Sequence, residues 1–510
     1  MVRGKLAPSS EIAIALSAGE VRYLRPKVEF MAETAPNLRP LNRSDVHTVD
    51  AEADVIVVGF GAAGTCAAFE ATAAGASVLI CERAGGPGGA AAQAGGIIYL
   101  GGGTATQIAA GFTDTPEAME AYLLAACGPA PDRAKISAYV ADSVAHHDWL
   151  VARVVEFEPV LDETVQMEPT GTEGLVWSGG ENAWPFVATI PAAPRGHLAK
   201  TPRATGWLLM EKLTGAALET GVDVAYDTRI DRLVVDGGRV VGVAGVRYGE
   251  PYVALAHKGV VLTAGGFVQN DEMLAQYAPG VLKASWKVGT DGDDGRGIAM
   301  AMALGAATKS MHAGECAFPV MPPKQLTAGI LVNCQGQRFI NEDTYNGRIG
   351  QAALFDQDAH VYLIVDEETY APTWLGLEAS WVCESVEELE KEIGLPEGSL
   401  VATVAHYNRH AERGEDPVFH KNEKWVRPLT GPIGAFDLSP KNIPYAAFTL
   451  GGLSTTVDGE VLHLDGSTIP GLYAAGRTTS GVCSFGYASG LSIGASTYCG
   501  RRAGTAVATA

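Results

Sequence analysis

The alternation of apolar and polar positions predicts an α/β protein that begins with a strand, a helix and a second strand. Residues 55–58 form an apolar run, and an alanine-rich stretch with helical periodicity follows it after a few glycines. A second, mostly apolar run follows at residues 76–81. Continuous apolar runs of this length are typical of parallel strands that are buried on both faces. The order of these segments therefore predicts a parallel sheet with a crossover helix.

Further along the chain, the pattern changes to short runs of β-branched residues that are separated by turn signals. Asp236-Gly237-Gly238 lies between two such runs, which predicts a hairpin turn. A β-rich region is therefore expected after the first unit. Its predicted strands are residues 222–225, 230–235, 240–247 and 260–262.

Two helical stretches and one long irregular stretch complete the pattern. Periodicity predicts one helix from Asp132 to Val155, with His146 and His147 on its solvated side, and charge predicts an acidic helix at 384–392. Residues 167–202, in contrast, break periodicity and are rich in glycine, proline and aromatic residues. Irregular loops of this length within compact domains are commonly functional, so we expect this loop to border a site.

The glycines after the first apolar run predict a nucleotide cofactor. Gly59, Gly61 and Gly64 form Gly-x-Gly-x-x-Gly, which allows a tight turn, close approach of the backbone to a pyrophosphate, and helix N–H groups directed at that anion. Glu82 ends the second apolar run, where ribose hydroxyls need an acceptor. The alternative interpretation is a glycine-rich packing turn with a surface glutamate.

More glycine-rich segments indicate which dinucleotide is bound. Residues 85–89 and 93–96 let the chain run beside an extended ligand, because side chains there would clash with it. With residues 258–267, 290–295 and 469–476, they resemble the flavoprotein family of fumarate reductases, succinate dehydrogenases and 3-ketosteroid dehydrogenases. The resemblance covers most of the chain after about residue 50 and implies FAD. Residues 88–98 contain no histidine for the covalent attachment found in succinate dehydrogenases, so noncovalent FAD is expected.

The fingerprint and the resemblance together assign a set of residues to FAD. They lie on the first strand–helix turn, the glycine-rich loops, the strand that ends at residue 262, and the last part of the chain. The set comprises Gly59, Gly61, Ala62, Ala63, Gly64, Glu82, Arg83, Gly88, Gly89, Ala90, Gly95, Gly96, Ala264, Gly265, Gly266, Gly476, Arg477, Leu491, Ser492 and Ile493.

The resemblance also implies the domain organisation. The expected fold is α/β, with a Rossmann-like FAD-binding domain into which an α+β capping domain is inserted, and the capping domain contributes to catalysis. At 510 residues the chain exceeds what one core usually serves. We predict an N-terminal arm at 1–49, the FAD-binding domain at 50–296 and 441–510, and the capping domain at 297–440.

Two segments resemble the catalytic segments of the ketosteroid dehydrogenases. Tyr345 follows Arg-Phe-x-Asn-Glu, where that branch has an active-site tyrosine. Tyr487, Ser489 and Gly490 lie in a glycine-rich segment that, in that branch, carries a tyrosine and a glycine amide for the 3-keto oxygen. Within the family, the resemblance is strongest to the 3-ketosteroid Δ4-(5α)-dehydrogenase type. It implies an oxidoreductase that introduces the C4–C5 double bond into 3-oxo-5α-steroids by α-proton abstraction and hydride transfer to flavin N5.

Three other functions are considered. Tyr-Ala-Ser-Gly is shorter than the corresponding motif of the Δ1-dehydrogenases, yet a 3-ketosteroid Δ1-dehydrogenase stays an alternative. A fumarate-reductase-like reductase of an unsaturated acid is disfavoured. Its catalytic arginine would lie four residues after Glu342, where this chain has Asn346 with Arg348 beyond it, and residues 481–500 contain no arginine or histidine. Two carboxylates need such charged donors. The third alternative is a noncatalytic flavin-binding subunit.

The catalytic assignments also have simpler interpretations. Tyr345 is equally well explained as a core residue, and Ser489 as the N-cap of a helix. Arg338 and Glu342 are equally well explained as a structural ion pair. Tyr487, Ser489 and Tyr345 all stay candidates for the base. Residues 177–186 and 318–323 are apolar enough to hold a rigid ring system.

Charge and cysteine content exclude some classes of binding partner and indicate a cellular compartment. The net charge of −21 argues against nucleic acid and anionic membranes, and no apolar run is long enough to span a bilayer. The eight cysteines form no Cys-x-x-Cys pair, so neither a disulfide framework nor a metal site is indicated. We therefore expect a cytoplasmic protein without a metal site. The resemblance implies that its partners are a hydrophobic ketosteroid and an external electron acceptor.

Overall fold

The computed structural model describes residues 38–153, 155–163, 169–318, 323–373 and 375–510. Most of the predicted N-terminal arm therefore lies outside the described residues, as do Pro319 to Pro322 of the apolar run. From Leu38 to Ala510 the chain forms one compact unit. The predicted boundaries of the capping domain stay a prediction.

A nine-stranded mixed sheet is the largest sheet of the described chain. Strand Ala51–Val58 lies at its parallel centre, between Glu250–Leu262 and Val78–Cys81. This confirms the predicted α/β class with a parallel sheet. Along one path the strands follow the order Leu41–Asn42, Thr228–Asp236, Arg239–Arg247, Glu250–Leu262, Ala51–Val58, Val78–Cys81 and Asp223–Ala225. Thr468–Ala474 also pairs with Glu250–Leu262, and Glu460–Leu462 pairs with Thr468–Ala474.

The centre of the sheet is buried on both faces. Ile56 and Val58 pack into the core on one face, whereas Val55 and Val57 pack into the core on the other. Alternate side chains of a strand point to opposite faces, so a strand covered on both sides must be apolar throughout. This explains why the first apolar run is continuous.

Four smaller sheets complete the β structure of the described residues. A three-stranded sheet contains Trp286–Lys287, Ala446–Thr449 and Gly314–Ala317, and a two-stranded sheet contains Thr308–Lys309 and Gly452–Leu453. One four-stranded sheet contains Ile330–Asn333, Val361–Asp366, Ile433–Asp437 and Trp381–Cys383. The other four-stranded sheet contains Ile98–Tyr99, Gly196–His197, Leu175–Val176 and Leu161–Asp162.

The helices cover the large sheet and the sheet that begins with Ile330–Asn333. The α-helices are Ala62–Ala73, Gly89–Gln93, Ala105–Ala109, Pro116–Ala126, Arg133–Ala141, Ser143–Val151, Gly206–Glu219, Asp271–Tyr277, Arg296–Met302, Asn346–Gln351, Val386–Ile393, Ser399–Ala411 and Leu491–Thr509. Short 3-10 turns occur at Arg43–Asp45, Phe186–Ala188, Val281–Lys283, Lys324–Ala328, Glu423–Trp425 and Gly476–Thr478, and a π-helical turn at Ala352–Asp356.

The first and last helices pack unusually close together. A Cβ atom on Gly500 would lie 2.3 Å from the Ala63 carbonyl oxygen, and one on Gly504 would lie 2.2 Å from that of Ala67. These two glycines are four residues apart and therefore share one helix face. Their missing side chains let helix Leu491–Thr509 lie against helix Ala62–Ala73, and both helices begin at the same edge of the sheet.

Several local predictions are confirmed and two are wrong. The hairpin at Asp236 to Arg239 is present, and Ser385 caps the acidic helix Val386–Ile393. The single helix predicted from Asp132 to Val155 is instead two helices, Arg133–Ala141 and Ser143–Val151.

His146 and His147 are buried rather than solvated, which corrects the second prediction. The ring of His146 stacks on Trp149 and hydrogen-bonds to Thr497 at 2.9 Å, and His147 hydrogen-bonds to Thr106 at 2.8 Å. Burial lowers the pKa of His146 to about 3, and the charge of Arg501 adds to this effect. The solvated side of helix Ser143–Val151 carries Ala145, Asp148 and Val151 instead, which periodicity alone did not reveal.

Of the helices in the described part of the chain, none is both long and apolar enough to cross a bilayer.

Candidate active site

The candidate site is a cleft at the edge of the sheet where the parallel strands end. Val58, Cys81, Leu262 and Ala474 lie at the same level, because each is paired with its neighbour in the sheet. The residues that follow them meet at one edge and line a cleft of about 1420 Å³, part of which is open to solvent. Ligands of doubly wound folds bind at this edge.

The three glycines of the fingerprint have different roles. Gly59 adopts a φ of +103°, and a Cβ atom there would lie 2.6 Å from the Thr263 carbonyl oxygen. A Cβ atom on Gly64 would lie 1.9 Å from the Gly59 carbonyl oxygen, so Gly64 allows the helix to pack on the turn. A Cβ atom on Gly61, which lines the cleft, would meet no described atom within 4 Å. That open space is what a pyrophosphate requires.

Helix Ala62–Ala73 completes this phosphate-sized space. Its first residues, Ala62 and Ala63, line the cleft, and among the described residues no side chain caps its first N–H groups. Uncapped N–H groups and the helix dipole together favour an anion at this position. The residues present therefore fit the diphosphate of a dinucleotide such as FAD.

Glu82 is held in place by the backbone at the edge of the cleft. Its Oε2 accepts a hydrogen bond from the Phe60 N–H at 2.6 Å, and its Oε1 accepts one from the Ala84 N–H at 2.7 Å. Each carboxylate oxygen has a second lone pair and so retains capacity for another donor. This fixed acceptor suits the ribose hydroxyls of an adenosine, as predicted.

The arginines that line the cleft are each engaged with a carboxylate. Such paired guanidinium groups are unlike a clamp prepared for a dicarboxylate substrate, whose two charges would need donors of their own. The pairs are Arg83 with Asp294 at 2.9 Å, Arg229 with Asp231 at 3.2 Å, Arg296 with Asp294 at 3.3 Å, and Arg477 with Asp293 at 2.7 Å.

Arg348, the arginine nearest in sequence to the fumarate-reductase position, lies elsewhere. It donates to the Thr344 hydroxyl at 2.8 Å and to the Trp184 carbonyl oxygen at 3.4 Å, and it stacks on the Phe186 ring. It is not among the residues that line the cleft.

Asp293 also lines the cleft, although sequence reasoning did not single it out. Its carboxylate is 2% exposed and accepts hydrogen bonds from the N–H groups of Gly266 at 2.9 Å and Thr290 at 2.8 Å. Together with the Arg477 ion pair, these contacts join three separate loops beneath the cleft. Its position in the family-like segment 290–295 was the available signal.

Tyr487 lies beside the start of the last helix. Gly490, with a φ of +94°, precedes that helix, and a Cβ atom there would lie 2.7 Å from the Tyr99 backbone nitrogen. The Ser492 N–H donates to the Tyr487 hydroxyl at 3.1 Å. Burial and the thiol of Cys483 raise the pKa of Tyr487, whereas hydrogen bonds from the N–H groups of Ser492 and Gly490 lower it.

Tyr345 lies behind Ser489 rather than in the cleft wall. Its hydroxyl donates to Glu315 Oε1 at 3.1 Å, and it packs in the same apolar cluster as Tyr487. Burial raises the pKa of Tyr345 well above its ordinary value and the charge of Glu315 adds to this, whereas the neighbouring Ser489 hydroxyl lowers it. The structure thus brings Ser489 and Tyr345 together. Ser489 is not the N-cap of the last helix, since Gly490 occupies that position.

Arg338 and Glu342 form the expected ion pair, 2.8 Å apart. Asp416 and Lys421 complete this buried network, at 2.9 Å from Arg338 and 2.8 Å from Glu342 respectively. The network lies away from the cleft lining, so a structural role is supported.

Most of the residues assigned to the site line the cleft, and the others lie just behind it. The second group comprises Gly64, Gly88, Gly266, Leu491 and Tyr345. Of these, Leu491 borders an adjoining cavity of about 390 Å³, on which Tyr487 also lies. The residues that line the cleft are Gly59, Gly61, Ala62, Ala63, Glu82, Arg83, Gly89, Ala90, Gly95, Gly96, Ala264, Gly265, Gly476, Arg477, Tyr487, Ser489, Gly490, Ser492 and Ile493.

Sequence reasoning missed other parts of the wall. Thr228, Thr290, Phe448 and Ser496 also line the cleft. They come from four separate segments, and of the four only Thr290 lies in a family-like motif, at residues 290–295. Phe448 packs edge-on against the Tyr487 ring, with ring centres 5.4 Å apart.

Comparison with known proteins gives results that agree with this geometry. A family model described as "FAD binding domain" matches residues 54–493. The crystal structure of 3-ketosteroid-Δ4-(5α)-dehydrogenase from Rhodococcus jostii RHA1, in complex with 4-androstene-3,17-dione, is 47% identical, with a TM-score of 0.88, and covers 92% of this chain and 99% of that chain.

Two more distant relatives are named for different positions of steroid dehydrogenation, one a 4-dehydrogenase and the other a 1-dehydrogenase. A 3-oxo-5-alpha-steroid 4-dehydrogenase from Comamonas testosteroni is 28% identical over 83% of this chain and 92% of its own length. A 3-oxosteroid 1-dehydrogenase from Mycolicibacterium smegmatis is also 28% identical, over 88% of this chain and 99% of its own length.

Proposed function

Because this chain belongs to the FAD binding domain family, with FAD as its cofactor, we propose that it is a dehydrogenase that introduces the C4–C5 double bond into 3-oxo-5α-steroids. The observation that carries the proposal is the meeting of Tyr487, Ser489 and Tyr345 at one end of the cleft, in a chain 47% identical to a Δ4-(5α)-dehydrogenase of known structure. When bound, FAD supplies a flavin whose N5 accepts hydride.

Tyr487 is the proposed donor to the 3-keto oxygen. Its hydroxyl oxygen accepts N–H groups at the start of the last helix, so its own proton is left to donate to a substrate. A donor at the carbonyl oxygen stabilises the negative charge that develops when the neighbouring carbon loses a proton. The Gly490 N–H, the other predicted donor, is directed at the Tyr487 hydroxyl and therefore supports that hydroxyl as the donor.

Ser489 is the proposed acceptor of the α proton. A serine hydroxyl is a weak base unless its own proton can leave as it accepts another. The Tyr345 hydroxyl next to Ser489 provides a path for that proton away from the cleft. Tyr345 therefore assists from behind and does not contact the substrate.

The remaining residues assigned to the site are the proposed contacts of the cofactor. Gly61 and the start of helix Ala62–Ala73 receive the diphosphate, and Glu82 receives the ribose. We propose that the attachment is noncovalent, that electrons leave to an external acceptor, and that the enzyme is cytoplasmic. Eight free thiols in the described chain are consistent with that reducing compartment.

Anaerobic mixing tests the proposed function. The purified yellow protein is mixed with a 3-oxo-5α-steroid and, separately, with succinate, while the flavin absorbance is followed. Bleaching by the steroid alone is expected, because the cleft offers phenol and serine hydroxyl groups instead of unengaged guanidinium groups at its substrate end. Bleaching by neither compound would rule out the proposed function.

The same reaction distinguishes the two regiochemistries. NMR spectroscopy of the product locates the new double bond, and a C4–C5 double bond is expected. A C1–C2 double bond would instead support the Δ1 alternative, which the 28% identity to a 3-oxosteroid 1-dehydrogenase keeps in consideration.

A further inference from the structure

Glu315 is a buried carboxyl group behind the proposed catalytic residues. It lies on strand Gly314–Ala317 and is 1% exposed. Its Oε1 accepts the hydrogen bond from the Tyr345 hydroxyl at 3.1 Å. Within the described part of the chain, its Oε2 has no hydrogen-bond partner.

The surroundings of Glu315 do not compensate its charge. The titratable groups that face it are Tyr345, Tyr487 and the thiols of Cys316 and Cys483, all of which are neutral at neutral pH. No cation of the described residues forms an ion pair with it. Burying a carboxyl group without a cation is costly, and an apolar side chain on this strand would avoid that cost. A carboxyl group in such a position points to function.

We propose that Glu315 is the final internal acceptor of the proton that Ser489 removes from the substrate. The proposal rests on the proposed function and deepens it, since it adds a third group to the path from the cleft. Glu315 acts through Tyr345 and is thus a positioning residue for proton transfer.

The three groups already lie in the required order. Ser489 lies next to Tyr345, and the Tyr345 hydroxyl donates to Glu315. As the α C–H bond of the substrate breaks, its proton bonds to the Ser489 oxygen and its electron pair stays on the substrate. The Ser489 proton passes to the Tyr345 oxygen, and the Tyr345 proton passes to Glu315. One carboxylate becomes a carboxylic acid, and both hydroxyl groups are regenerated.

The acidity of Glu315 is suited to this role. Burial raises its pKa to about 8, although the hydrogen bond from Tyr345 opposes the shift. An acceptor with a pKa near the working pH takes up a proton readily and can release it afterwards, whereas a phenol that has lost its proton in a buried site is far less stable. The carboxyl group must be ionised to accept, so the rate of proton removal should increase with pH through about 8.

The test is the pH profile of steroid-driven flavin bleaching under anaerobic conditions in wild type and in Glu315→Gln. Glutamine keeps the size and the acceptor oxygen for Tyr345 but cannot take up the proton. We expect bleaching by E315Q to be at least 10-fold slower at pH 8, with the increase through about pH 8 absent. Retained FAD absorbance shows that the variant is folded.

Glu181→Gln is the matched control. Glu181 is also buried near the site, its Oε1 also has no hydrogen-bond partner in the described chain, and burial raises its pKa too, but no hydrogen bond joins it to Tyr345. E181Q should keep the wild-type increase in rate through about pH 8. Loss of that increase in E181Q would assign it to another group and overturn the proposal.

The outcomes separate this proposal from the proposed function. A wild-type protein that the steroid does not bleach refutes the function itself. A wild-type protein that is bleached, together with an E315Q variant of equal rate and equal pH profile, refutes only the role of Glu315. If E315Q does not retain FAD, Glu315→Asp replaces it: the shorter side chain keeps the acid but withdraws it from Tyr345, and an unchanged rate would overturn the proposal.

Discussion

Single residues of the site depend on the backbone groups that surround them. Glu82 is fixed by two N–H groups, and the Tyr487 hydroxyl accepts an N–H group at the start of the last helix. In both cases backbone N–H groups take up part of the hydrogen-bonding capacity of the side chain. The rest, a lone pair on each Glu82 oxygen and the hydroxyl proton of Tyr487, stays available to a ligand. The positions of these residues in the sequence could be predicted from motifs, but the partners that orient them could not.

The first prediction concerns the Tyr487 hydroxyl. Tyr487→Phe removes the proposed donor to the keto oxygen but preserves the ring that packs on Phe448. Steroid-driven bleaching should become on the order of 100-fold slower while FAD stays bound, because transition-state charge loses a hydrogen-bond donor. Stopped-flow absorbance measures the rate.

Tyr498→Phe is the control for this change. Tyr498 lies in the helix that follows Tyr487, but its hydroxyl contacts Asp142 at 2.7 Å and lies away from the cleft. The control should bleach at the wild-type rate. An equal loss in both variants would assign the effect to the helix instead of to the Tyr487 hydroxyl.

The second prediction concerns the stability cost of Glu315. Its pKa in the folded protein, about 8, is above its value in the unfolded chain, 4.5. The folded state therefore binds more protons between these values, so this group makes the protein less stable as the pH rises from about 4.5 to about 8. Glu315→Gln lacks this penalty and should be more stable than wild type at pH 8, by on the order of 2–4 kcal/mol. Urea unfolding at pH 5 and pH 8 measures the difference, and an equal difference at both pH values would contradict it.

At the scale of elements, two helix starts form the cleft. Helices Ala62–Ala73 and Leu491–Thr509 are held together by the contacts of Gly500 and Gly504, which places both amino ends at the same edge of the sheet. The first is suited to a diphosphate and the second borders Tyr487. The periodicity and the glycines predicted the first of these helices, whereas its close packing against the last helix depends on glycines whose purpose the sequence did not reveal.

The third prediction tests the first helix start. Gly61→Ala adds a methyl group where no described atom lies within 4 Å, so the fold should be unaffected. The methyl group points into space that the proposed diphosphate needs, and FAD affinity should fall at least about 10-fold, or roughly 1.4 kcal/mol. Titration of the apoprotein with FAD, followed by flavin fluorescence, measures the affinity.

Gly215→Ala provides the matched control. A Cβ atom there also meets no described atom within 4 Å, but Gly215 lies within helix Gly206–Glu219 and outside the cleft lining. FAD affinity should be unchanged in this variant. Unchanged affinity in G61A as well would show that Gly61 does not border the diphosphate.

At the scale of the whole molecule, the cleft joins distant parts of the chain. Strands Ala51–Val58 and Thr468–Ala474 both pair with Glu250–Leu262, so the start and the end of the described chain meet at the cofactor site. A ligand bound there contacts only the assembled fold. Cofactor binding should therefore stabilise the protein as a unit.

The fourth prediction follows from this arrangement and from noncovalent attachment. Acid precipitation should release FAD into the supernatant, whereas covalent FAD would stay in the pellet. The apoprotein should unfold several degrees below the FAD-bound protein, since free FAD at a thousand times its Kd contributes about 4 kcal/mol. Differential scanning calorimetry of both forms measures this shift, and equal transition temperatures would contradict it.

The sequence by itself determined the fold class, the cofactor and most of the cleft. These follow from local signals: an apolar run that only a doubly covered strand explains, a glycine turn that only a close ligand explains, and an acidic residue at the end of a strand. Each is a physical constraint on a few neighbouring residues, and it can therefore be recognised without coordinates.

Only the tertiary structure decided which distant groups meet. It placed Glu315 against Tyr345 and joined three loops through Asp293. It also buried His146 in the core, where the pattern had predicted a solvated helix face. These contacts depend on how elements pack. No local pattern records what covers a helix face or what lies behind a hydroxyl group, because burial is a property of the assembled molecule.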